Sequence, residues 1–208
     1  MTAIVDGSTG ITTPIDVEIQ GSTSGSIVLT APAVAGSNTQ MLVAATETLA
    51  PIISGVAVAS TSGTSIDFLN IPPWVKRISV LFSNFSTNGA SPVLVQLGTA
   101  SAGVSNTGYL GAVNGMIGSV TVTNQTAGFG TDNTTLATWI RQGIMTITLL
   151  NKSTNNWISQ SIQVTSNTPA MLLAAGAKTL PDTLDRLRIT TVNTIDVFDS
   201  GTINILWE

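Results

Sequence analysis

A chain of 208 residues is long enough for one β-sandwich with a shorter appended segment and too short for two large domains. Its 7 basic and 11 acidic residues make only 9% of the chain charged, against about 25% in an ordinary globular protein, and the net charge of −4 without clustered Lys and Arg excludes a nucleic-acid partner. No cysteine and no histidine means no disulfide, no thiolate metal site and no imidazole base for a nucleophile, so stability has to come from packing and association.

Residues 1–50 read as an extended segment of strands and turns. Short runs such as IDVEI (Ile15 to Ile19) and SIVLT (Ser26 to Thr30) alternate with GSTG and GSTSG turns. Large apolar residues are too few there to form a core, which predicts an attachment or linker segment ordered by a partner. The apolar run from Met41 to Val58 is broken by Glu47 and Pro51 and diluted by threonines, so no membrane insertion is expected; Pro51 is a hinge candidate. The first ten residues carry neither the basic nor the apolar region of a secretory signal.

Residues 51–208 carry period-two alternation throughout, the mark of half-buried antiparallel strands. Ile78, Val80 and Phe82 alternate with Ser79 and Leu81, and Val93, Val95 and Leu97 with Leu94 and Gln96. Val120 and Val122 follow, then Met145, Ile147 and Leu149 between threonines, then Ile158, Ile162 and Val164 set against Ser159, Ser161 and Gln163. RLRIT (Arg186 to Thr190) and TINILW (Thr202 to Trp207) are the last strands. Ser86–Pro92, Lys152–Asn156 and Asp199–Gly201 carry turn residues. Leu136–Ile144 and Ala170–Ala177 are the only places with room for a helical turn or two. The expected fold is an all-β antiparallel sandwich, jelly-roll-like, with the extended N-terminal segment before it.

Three blocks carry a resemblance. Thr61–Gly98, with its IPPWVKRI strand, STNG loop and VQLG strand, resembles a domain of tail-fibre and related virion proteins of tailed bacteriophages. Leu184–Glu208, with LDRLR followed by DVFDSG and a last strand, resembles the ending of that family, and Gly21–Thr39 resembles the linker that precedes such domains. Residues 101–138 match no motif of the family. The resemblance implies a virion protein assembled in the bacterial host cytoplasm, a homotrimer, with other virion proteins of tail or capsid as partners and a host surface glycan as a further one.

Catalysis would have to use carboxylates, and Asp182 with Asp185 and Asp196 with Asp199 are the two clusters. Each has a simpler reading: Asp182 and Asp199 open turns, and Asp185 is placed to pair with Arg186 or Arg188. No catalytic, cofactor-binding or metal residue is therefore assigned. Among the aromatics, Trp74 and Trp207 read as packing residues on strands, while Tyr109 after SNTG and Trp157 after STNN read as receptor-facing loop candidates able to stack on sugar. Lys76 and Arg77 fall on opposite faces of a strand and read as an intersubunit ion pair rather than a basic patch. The expected function is a trimeric tail-fibre, receptor-binding virion protein. The alternatives are a capsid decoration (cement) or head-fibre protein, favoured by a chain with no room for a long shaft, and a glycan-degrading tail spike, disfavoured by sparse acids.

Overall fold

The computed structural model describes residues 52–208, apart from 118, 134, 135 and 168, and the backbone of two short strands nearer the start. The chain divides into two compact units, Met1–Thr48 and Leu49–Glu208. In the first, β1 (Val17–Gln20) and β2 (Ser26–Leu29) pair antiparallel, with Val17 opposite Leu29. These are the two runs that alternate around GSTSG. The rest of the expected attachment segment and the Pro51 hinge lie outside the described residues.

The second unit is all β. Its strands are β3 (Ile53–Ser54), β4 (Val58–Ala59), β5 (Ser65–Phe68), β6 (Arg77–Thr87), β7 (Val93–Thr99), β8 (Gly103–Val104), β9 (Leu110–Ile117), β10 (Ser119–Gln125), β11 (Phe129–Gly130), β12 (Arg141–Asn151), β13 (Asn156–Thr165), β14 (Met171–Thr179), β15 (Leu184–Thr191) and β16 (Phe198–Trp207). Nine form one sheet in the order β10-β9-β14-β13-β12-β6-β16-β3, with β4 also on β16. Five form the other in the order β11-β7-β15-β5, with β8 on β7. Every pair is antiparallel, and the two sheets pack face to face as a sandwich. The Ala170–Ala177 stretch is strand, its Ala and Leu residues overridden by pairing to β9 and β13 on both sides. In Leu136–Ile144 a single turn, Trp139 N–H to Leu136 C=O at 2.9 Å, precedes β12.

The core lies where the alternation of β6, β12, β15 and β16 meets. Ile78 and Val80 of β6, Met145 and Ile147 of β12, and Ile203 and Ile205 of β16 face Val95, Leu97, Leu187 and Ile189 of the smaller sheet, all buried. Fully burying one such side chain stabilises by about 1.5–3 kcal/mol. Gly201 allows β16 to bulge against β6: its φ is +87°, and a Cβ there would run into the carbonyl oxygens of Ser83 and Asn84.

β13 departs from the expected phase. Ser161, Gln163 and Thr165 point inward and are buried, while Ile158, Ile162 and Val164 point outward and are exposed. In register, Met145 opposite Ser161 and Leu149 opposite Trp157 fix which face is inside, so the isoleucines fall on the other. Across the sheet Ile144, Ile162 and Leu173 stand side by side on that outer face.

One ion pair is sealed inside. Asp132 and the Arg141 guanidinium are both 0% exposed and hydrogen-bonded to each other, with the Val93 N–H also donating to Asp132 at 3.2 Å. Arg141 lies 4.6 Å from the Phe85 ring centroid. Its Nε and Nη2 find no partner among the described residues. Burial pushes the Asp132 carboxyl above its usual range, with the guanidinium as the chief opposing influence.

Candidate functional site

Both receptor-facing candidates are corrected: Tyr109 is 4% exposed and Trp157 is 3% exposed, and both belong to the core. Gly108, at φ +70°, absorbs the turn, and Tyr109 returns inward at once. Its hydroxyl accepts from Leu97 N–H at 2.6 Å and donates to Ser105 C=O at 3.1 Å, and its ring stands edge-on to Phe129 at 5.1 Å. Burial raises its phenol well above the ordinary range. Lys178, whose ammonium burial lowers, sits 4.9 Å from the Tyr109 ring centroid and donates to Thr107 C=O at 2.7 Å. Trp157 is likewise a strand residue, because Asn155, at φ +49°, closes the turn and β13 begins immediately after it. Trp139 is buried as well, and Trp74 and Trp207 pack half-buried against the core.

The acid clusters come apart. Asp182 accepts from Thr183 N–H at 2.7 Å and from Ser101 Oγ at 3.1 Å. Asp185 holds Arg186 through two bonds of 2.7 and 2.8 Å, which keeps its carboxyl below the usual range. Arg188 pairs across strands with Asp67, directly opposite it. Asp199 accepts from the Ser86 hydroxyl. Among the described residues no group of three or more metal-binding side chains comes together. Arg77, expected to pair between subunits, is bonded to Glu208 of its own chain, whose backbone also bonds Lys76 and Arg77. Among the described residues no helix is long and apolar enough to cross a membrane.

What the structure does assemble is a locked pair of loops. β3 and β4 bring the chain in beside Trp207 and Ile203 of β16. Asn88–Pro92 and Val192–Val197 lie at the opposite end of the sandwich, past Thr87 and Phe198. Asp196 accepts from Ser91 N–H at 2.9 Å and from Asn193 Nδ2 at 2.6 Å. Asn193 Oδ1 accepts from Ile195 N–H at 3.1 Å and Asp196 N–H at 3.2 Å, while its own N–H donates to Ser91 Oγ at 3.0 Å. Asn88 and Val197 bond each other twice, at 2.8 and 2.9 Å. Gly89 is needed because a Cβ there would occupy the Asp196 carboxylate.

Held on this network, Thr194 adopts φ +61°, a conformation that costs a β-branched residue, and Ile195 stands 72% exposed, with Val192, three residues earlier, half-open to solvent. Preorganised loops with an apolar tip bind without a large ordering cost. Alternation could not locate Ile195, because it belongs to no strand; the Asn-Thr-Ile-Asp string after β15 was the available signal. No family model, curated protein or solved structure matches the chain.

Proposed function

We propose that the chain is a structural protein of a bacteriophage virion, a homotrimer of tail-fibre, receptor-binding type, whose work is attachment and display. The observation that carries this reading is the distribution of surface. The sandwich pairs many of its scarce charges with one another within the chain, leaves one sheet face largely apolar, and holds a rigid loop pair at the end away from where the chain enters. The two blocks Thr61–Gly98 and Leu184–Glu208 support it, since they are neighbours in space: Ile71 N–H bonds Asp185 C=O at 2.8 Å, and β6 lies against β16. The loops Asn88–Pro92 and Val192–Val197 replace Tyr109 and Trp157 as the receptor-facing elements.

Gold-labelled antibody against the purified chain tests the address. Label at a few tail positions supports the fibre reading, label following shell symmetry moves the protein to capsid decoration, and virions without label overturn both. Changing Val192 and Ile195 together to serine should lower adsorption to host cells at least tenfold while the melting temperature stays within about 2 °C, since exposed side chains contribute little to stability. Unchanged adsorption would remove these loops from the contact.

A further inference from the structure

We propose that the outer face of β12, β13, β14 and β9 is the surface through which copies of this chain meet, three chains turning it toward a common axis; this rests on the trimeric reading above. The first argument is the phase of β13. A one-residue slip would bury Ile158, Ile162 and Val164 and release Ser161, Gln163 and Thr165 to water, but it would also expose the large Trp157 ring. The strand instead keeps three polar side chains inside, where Gln163 Oε1 finds no partner among the described residues, and leaves three large apolar ones outside. An isolated sandwich leaves that apolar row in water. A covered one gains about 25 cal/mol for each Å² of apolar surface removed from water.

Charge and shape then select the cover. From 133 to 181 the sequence contains no carboxylate, and the only cations on these strands, Arg141 and Lys178, point inward. A charged partner has nothing to recognise, whereas a second copy meets an equally neutral face without repulsion. The row Ile144, Ile162 and Leu173 forms a ridge, and beside it runs a shallow apolar groove floored by Ala112 and Ala175. Ridge and groove on one surface are self-complementary. At about 4.8 Å between strands and 3.3 Å per residue, four strands of seven residues present a footprint of roughly 440 Å² before side-chain relief, about half of the ~800 Å² per partner of a standard interface.

The experiment uses the full chain at low micromolar concentration. Light scattering should give the wild type three times its 21.4 kDa. Ile162→Asp, at a position 59% exposed, and separately Ala175→Glu should each raise the dissociation constant at least 100-fold, whereas Ile195→Asp and Leu69→Asp, exposed elsewhere, should leave the trimer intact. Peroxide oxidation of Met171, which sits on this face opposite Val164, supplies a readout on the unmutated protein. It should proceed at least tenfold more slowly than in denaturant. A wild-type trimer that both variants leave unchanged, with Met171 oxidised freely, overturns this face while the trimeric reading stands. A wild-type monomer overturns both, whether or not Met171 is shielded.

Discussion

Replacing Asp132 by leucine, or Arg141 by methionine, is expected to destabilise the sandwich by about 3–5 kcal/mol, and replacing both together to return most of that loss. Each single change leaves a charge in a site with no access to water, since both side chains are 0% exposed. The effect is large because the survivor cannot be rehydrated without opening the end of β12. The double change removes both desolvation costs and also the two guanidinium nitrogens that lack a partner among the described residues, so it should fall within about 1–2 kcal/mol of the wild type on either side. For a unit of this size, 3–5 kcal/mol corresponds to a drop in melting temperature on the order of 10 °C. Urea denaturation of the four proteins completes the cycle. Additive losses in the double variant would mean that the two groups do not act as a pair.

Trp157→Ala is expected to cost about 3–5 kcal/mol by leaving a cavity between the sheets. Trp157→Phe should cost less than about 1.5 kcal/mol, because the indole N–H it removes is buried without a partner among the described residues. The contrast separates packing from recognition: a ring gripping sugar from a surface loop would lose binding in both variants and stability in neither. Equilibrium unfolding read by circular dichroism decides, and a melting point unchanged in Trp157→Ala would return Trp157 to the surface.

Strand content was legible because β6, β12 and β16 place large apolar residues at every second position on the inner face; Ile78, Val80, Met145 and Ile147 point where their spacing says. The phase of β13 was not. Period two states which residues share a face, and only Trp157, a single large residue among Ser159, Ser161 and Gln163, ties the polar set to the inside. β7 reads as half-buried, yet Leu94 and Gln96 are buried as well, because residues 127–130 cross over them and Ala127 C=O accepts from Gln96 Nε2 at 2.9 Å. Tyr109 and Trp157 were misplaced by one fact of turn chemistry: Gly108 and Asn155 finish their turns with positive φ, so the chain enters β9 and β13 within two residues and both rings already turn inward. The pairing of Asp132 with Arg141 left no local trace, since it joins a loop to a strand end.

The position of β16 sets an order of events during synthesis. It fills the gap between β6 and the short entry strands β3 and β4, whose one partner among the described residues it is, yet it is synthesised long after all three. Until then one edge of β6 stays open and the first residues of the sandwich have nothing to pair with. Closure has to wait for this distant partner, which places folding in the millisecond-to-second range typical of non-local β topologies. A nascent chain with so little charge is prone to self-association during that interval. Slowing translation before residue 198 should therefore lower soluble yield.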